Sequence, residues 1–295
     1  MPVDYEEKVD NFRQFVKEAA LGILPTQVGN MDEVPVPFDV PLNRTIEIKG
    51  TEDVFLATTG HHRTFFTVVL TVLASGEKLP PMIIFKLKEI PNVQFPEGAI
   101  VKANKEGWFN NGLMKPWIDE VWNKRQFYDP DPEKSLIIMD STPSHKQYNG
   151  KTELEKVSKM AMIPGGCTSC CQPLDVVINK PFKDNLRALW TEWMRDPANA
   201  TYTARGNRRG PGYAVVADMV KKAFDAVKTE TIVSGFNKAL LSDHEKRMKT
   251  FISDTNPLTP DDGELWETND LLPENDELQD HSELGVSFDF LELDE

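Results

Sequence analysis

Residues 135–139 read Ser-Leu-Ile-Ile-Met and are followed at once by Asp140. Four apolar side chains in succession leave a strand no polar face, so it has to be covered on both sides, which calls for a sheet between layers of helix. Helical patterns on either side of the run can supply those layers. Leu113, Trp117, Ile118 and Val121 share one face of a helix predicted over 113–122, and Leu186, Leu189, Trp190, Trp193 and Met194 form a broad apolar stripe at i, i+3, i+4, i+7 and i+8. Strand texture fills the region before them, at 27–33, 45–49, 54–58, 64–74 and 81–85, punctuated by Gly50, Gly60 and Gly76, and reads as an antiparallel meander. An amphipathic lead-in helix is expected over 4–21, a loop through Gly107, a helix over 152–159, a strand over 160–163 and a helical block over 213–241. The order predicts an α/β chain with one mixed central sheet flanked by helices.

A chain of 295 residues, 40% of them apolar, can bury a sizeable core. Its net charge of −14 is uneven: residues 250–295 carry 15 acidic residues and no Lys or Arg, leaving 32 acids against 33 bases in residues 1–249. The body is therefore near neutral and charge does not exclude nucleic acid as a partner, while the tail is expected to be disordered and solvated. Leu271, Leu272 and the stretch 288–293 within that tail could serve a protein partner. No stretch approaches the roughly 18 apolar residues of a membrane span, and the polar N-terminus is unlike a secretion signal. Cys167, Cys170 and Cys171 are too crowded for a disulfide framework and fit a reducing interior, so an intracellular chain is expected. Their C-x-x-C spacing has no second ligand pair, which favours buried thiols over zinc.

Three aspartates fall where this arrangement would gather them. Asp32 lies in the first strand, Asp140 ends the buried strand, and Asp175 is expected to open the long helix. An Asp just past an apolar strand stands at the carboxyl edge of the sheet, where ligand sites of open α/β sheets collect. Three clustered carboxylates repel one another unless cations neutralise them, so convergence implies a hard divalent metal. Taken singly, each Asp is equally compatible with a helix cap or a solvated edge.

The segments 29–39 (GNMDEVPVPFD), 140–145 (DSTPSH), 164–169 (PGGCTS), 172–175 (QPLD) and 179–183 (NKPFK) together resemble the catalytic domain of pogo/Tigger-type transposases of the mariner-related DDE superfamily. The likeness runs from about residue 5 to 193, with 34 residues between Asp140 and Asp175, a gap similar to the family's. It implies an RNase H-like fold over 26–249, preceded by a linker helix over 1–25 and followed by the acidic tail over 250–295. It also implies that Asp32, Asp140 and Asp175 hold two Mg²⁺ or Mn²⁺ ions for DNA strand cleavage and transfer. Asp32 is preferred to Glu33 on this match alone. His145 matches a family histidine expected to orient substrate or a neighbouring group. Lys180, Lys183 and Arg187, read as a basic line opposite the tryptophans, with Arg205, Arg208 and Arg209 in a Gly-rich loop, would contact DNA phosphates. A nuclear location is implied by the same likeness, and a homodimer is left open. Relatives carry helix-turn-helix modules ahead of this domain, for which the 31 residues before Asp32 leave no room. The chain is therefore expected to be either a piece of a longer product or a retired transposase serving as a nucleic-acid-binding or protein-interaction module.

Overall fold

The computed structural model describes residues 4–40, 59–60, 64–141, 153–204, 206 and 208–241. The strands expected at 45–49 and 54–58, His145, Arg205 and the acidic segment 250–295 lie outside the described residues. Among the described residues no helix is long and apolar enough to cross a membrane.

Six strands form one mixed sheet: β1 (Val28–Pro37), β2 (Phe65–Leu73), β3 (Met82–Lys86), β4 (Ile100–Asn104), β5 (Leu136–Met139) and β6 (Lys159–Met162), in the order β4-β3-β2-β1-β5-β6. The expected meander is present in β1, β2 and β3, which pair antiparallel, whereas β4 joins β3, β5 joins β1, and β6 joins β5, all parallel. Side chains alternate across the sheet, and the run 136–139 shows it directly. Leu136 and Ile138 enter the larger core; Ile137 and Met139 enter the smaller one on the opposite face.

The larger core is roofed by α1 (Tyr5–Ala19), α3 (Asn179–Arg195), α4 (Tyr213–Asp225) and α5 (Thr229–Phe236), and the smaller by α2 (Asn111–Glu120) with Trp122. α1 begins with Glu6 and Glu7 in its first turn and has Lys17 in its last, both favourable to the helix dipole. It buries Val9, Phe12 and Val16, and Arg13 Nε donates to the Ala239 carbonyl at 3.1 Å, tying the lead-in helix to the far end of the domain. In α3 the apolar stripe buries Phe182, Leu186, Trp190 and Met194 as the spacing predicts.

Three expectations need correction. The stretch read as loop contains β4, an edge strand whose five residues are all only half-buried and so give little hydrophobic signal. β1 runs four residues past Glu33, through Pro35 and Pro37. Its β5-facing edge is paired only from Val28 to Asn30, so the prolines remove no hydrogen bond that the ladder uses on that side. The helix expected over 152–159 is helical only at 153–155 among the described residues, and β6 already begins at Lys159.

Gly29 sits where β1 crosses the smaller core, and a Cβ there would stand 2.5 Å from Trp122 Cζ3. That ring cannot retreat easily, since Trp117 stacks against it at 6.0 Å between centroids and the Arg125 guanidinium covers it at 3.5 Å. Gly29→Ala is therefore expected to destabilise the domain by about 1–3 kcal/mol. A urea midpoint unchanged from the parent would contradict this packing.

Candidate active site

The parallel register between β1 and β5 pairs Val28 with Leu136, Gly29 with Ile137 and Asn30 with Ile138. Asp32 and Asp140 each follow by two residues, so both belong to the face of the sheet that α3 covers. Asn30 fixes this junction. Fully buried, it donates from Nδ2 to the Ile138 carbonyl at 2.9 Å and accepts at Oδ1 from the Leu174 backbone N–H at 2.9 Å. One side chain thus ties together the strand that carries Asp32, the strand that leads to Asp140 and the turn that presents Asp175.

Asp175 does not open α3 itself. It lies in a π-helical segment, Leu174–Ile178, that feeds into α3 at Asn179. Such widened turns recur at functional sites. Gly235 of α5 packs against this segment, where a Cβ would come 2.7 Å from Val177 Cγ2 and 3.2 Å from the Pro173 carbonyl.

The carboxylates meet at Asn179. Its Nδ2 donates to Asp32 Oδ2 at 2.8 Å and to Asp175 Oδ1 at 2.9 Å. Burial pushes Asp32 well above the usual carboxylate range, the charges of Asp175 and Asp140 push the same way, and the Asn179 hydrogen bond opposes them. Asp175 is pushed up to about 6, by burial first and also by Asp140, against hydrogen bonds from Asn179 and Asp32 and the positive charge of Lys183. Asp175 remains an exposed residue, so water screens part of that repulsion. All three aspartates therefore act on one another. Among the described residues, however, no three His, Cys, Asp or Glu side chains already stand close enough to hold one ion together.

The donor set nevertheless suits a hard divalent cation. It is made of carboxylate oxygens, and the Asn179 Oδ1 beside it is buried with no hydrogen-bond partner. Asp32, Asp140 and Asp175 are the residues that could hold such an ion.

The expected basic line requires a correction. Lys180 is exposed and Lys183 half-buried, but Arg187 is buried at 7% exposure, with Nη1 on Asp184 at 3.1 Å. Arg187 and Trp190 are three residues apart, which places them on the same side of α3 and not on opposite sides. Arg208 Nη2 donates to the Met194 carbonyl at 2.7 Å and Arg209 Nε to the Tyr202 carbonyl at 3.2 Å. Cys167 and Cys171 are buried and none of the three cysteines is in a disulfide; the Cys170 contact and burial raise the Cys171 pKa. Reading the residues alone missed Asn30 and Asn179 as parts of the site. The available signals were the two-residue step from Asn30 to Asp32 on one strand face and the four-residue step from Asp175 to Asn179 on one helix face.

Residues 63–236 match the family model described as DDE superfamily endonuclease. The human protein "Pogo transposable element with KRAB domain" is 32% identical over 270 residues, covering 90% of this chain and 42% of that protein. The human "Pogo transposable element with ZNF domain" is 27% identical over 202 residues, covering 68% of this chain and 14% of that protein. The chain thus spans less than half the length of these relatives. Among solved structures, a pre-cleavage Mos1 transpososome superposes with a TM-score of 0.54 at 14% identity, covering 86% of this chain and 64% of that one. The Mos1 transposase paired-end complex with left transposon end gives 0.52 at 13%, covering 87% and 64%. At such identities the likeness establishes the fold, the RNase H-like mixed sheet of these catalytic domains.

Removing Asn30 should orphan a buried carbonyl and a buried N–H, so Asn30→Ala is expected to cost about 2–5 kcal/mol; a denaturant titration showing less than about 1 kcal/mol would contradict the role given to it. The raised pKa values of Asp32 and Asp175 mean that the native state keeps protons which the unfolded chain has already released. Metal-free stability should therefore fall as pH rises from about 4 through 6. In EDTA, Asp32→Asn should flatten that fall and gain about 1 kcal/mol at neutral pH, roughly 2–4 °C in melting temperature. A melting temperature in EDTA that climbs over the same pH range would oppose this reading.

Proposed function

The chain belongs to the DDE superfamily endonuclease family, in its pogo transposase branch, and from that premise we propose that it cleaves and transfers DNA strands with divalent metal ions. The observation that carries the proposal is the meeting of Asp32 and Asp175 at one amide, with Asp140 two residues past Ile138, the last residue of β5 in register with β1, and its charge acting on both acids. In support, a Mos1 paired-end complex with Mg superposes with a TM-score of 0.51 at 16% identity.

In this reading Asp32, Asp140 and Asp175 hold two Mg²⁺ or Mn²⁺ ions. When bound, such ions supply activation of a water or a DNA 3′-hydroxyl and stabilisation of the leaving oxygen in an in-line displacement. Lys183, whose charge reaches Asp175, and the exposed Lys180 meet the phosphates flanking the scissile bond, with Arg208 and Arg209 contributing from their loop. Arg187, buried and paired with Asp184 of its own helix, is left out of this set. His145, five residues beyond Asp140, orients the substrate. Action on DNA implies a nuclear site of work. Contacts of this type read phosphates and not base edges, so sequence discrimination by this chain should be poor.

Supercoiled DNA should be nicked in Mg²⁺ or Mn²⁺ and not in EDTA, and Asp140→Ala should lower the rate at least about 10³-fold, because charge and coordination are lost together. An unchanged rate in Asp140→Ala, or cleavage in EDTA, would overturn the mechanism. No nicking by the parent chain, with binding to DNA retained, would assign the domain to the retired, nucleic-acid-binding class.

A further inference from the structure

We propose that the Asn179 side chain is a cation-responsive amide. Without metal its nitrogen clamps Asp32 and Asp175; with a divalent ion bound it turns over and presents Oδ1 as an additional oxygen donor. The inference rests on the divalent-metal reading above and adds a residue to it.

The two ends of this amide are treated very differently. Nδ2 sits 2.8 Å from Asp32 Oδ2 and 2.9 Å from Asp175 Oδ1, so it occupies the space in which a cation shared by those carboxylates would have to stand. Both contacted oxygens accept from this nitrogen, so the NH₂ end faces the acids in the metal-free state. The other end, Oδ1, is buried in a residue only 9% exposed and has no hydrogen-bond partner. A buried acceptor left unmade costs free energy, and a residue placed only to clamp two acids would ordinarily have both ends satisfied.

A divalent ion entering between the carboxylates withdraws their lone pairs from Nδ2 and places positive charge against its hydrogens. Rotating the terminal amide by half a turn exchanges the two ends with little other movement, and brings Oδ1 to the ion or to a water the ion holds. On the buried side the rotation breaks no hydrogen bond, because Oδ1 makes none there, and the cost of leaving the NH₂ end in its place is offset by coordination of the ion. An amide oxygen is a hard donor of the type that Mg²⁺ and Mn²⁺ accept beside carboxylates. The backbone supports this role, because the π-helical segment that carries Asp175 leads directly into α3, whose first residue is Asn179.

Mn²⁺ binding to the full chain, followed by the EPR signal of the free ion, together with melting temperatures with and without Mn²⁺, tests this. Asn179→Ala should weaken Mn²⁺ binding about tenfold or more. Asn179→Asp keeps an oxygen and loses the donor, so it should bind Mn²⁺ at least as tightly as the parent while melting lower in EDTA. If Asn179 were only a clamp competing with the ion, Asn179→Ala would bind Mn²⁺ as well as the parent or better, which would overturn the inference while leaving the metal site standing. Should Asn179→Ala fail to fold, Asn179→Asp decides alone, and weaker binding than the parent would overturn the inference. A parent chain that binds no Mn²⁺ would remove the metal reading and this inference with it.

Discussion

Two hydrogen bonds from one buried side chain organise this domain around its acids. Asn30 lies in β1, the central strand at which the antiparallel meander meets the parallel pair β5 and β6. It reaches sideways to the Ile138 carbonyl and outward to the Leu174 N–H. An apolar residue there would pack, but it would leave both backbone groups unpaired in a dry core. Because Asp32, Asp140 and Asp175 each lie within two residues of a group Asn30 touches or belongs to, their separation follows from backbone geometry and not from flexible side chains alone. Preorganisation of that type is what chemistry on a phosphodiester requires, since positioning and charge stabilisation supply most of its rate.

The same arrangement is costly to the fold when no cation is present. Asp32 and Asp175 stay protonated beyond the ordinary carboxylate range, and a neutral amide is their shared donor. The sheet can carry this load because both its faces are closed by dense apolar layers, with Trp117 and Trp122 under one and Phe182 and Phe224 within the other. Stability is thus concentrated in the layers and given up at one sheet edge, the distribution expected where function demands an unfavourable cluster.

Much of this was legible in the chain. The four apolar residues from Leu136 to Met139 required two covered faces, and each goes to the face that alternation assigns it. Asp140 follows the strand as the run's end predicted, and the motifs between Gly29 and Lys183 led to the right family. What was hidden has physical causes. β4 is half-buried along its length, so no periodicity marks it. β1 runs on through Pro35 and Pro37, residues that cannot donate to a ladder, and the pairing with β5 that stops at Asn30 is what lets them stand in the strand. Arg187 resembled surface charge until its three-residue step from Trp190 was read as a shared face. Asn30 and Asn179 are polar residues that look alike in any sequence; their roles arise from partners 108, 144 and 147 residues away.

The central claim is that Asp32, Asp140 and Asp175 converge to hold metal. Crystals of the domain grown with Mn²⁺ and measured at the manganese absorption edge test it most directly. The account predicts two anomalous peaks about 4 Å apart, lying between the three carboxylates. Peaks confined to other acidic surfaces, or a peak at Asp32 and Asp175 from which Asp140 is turned away, would contradict it.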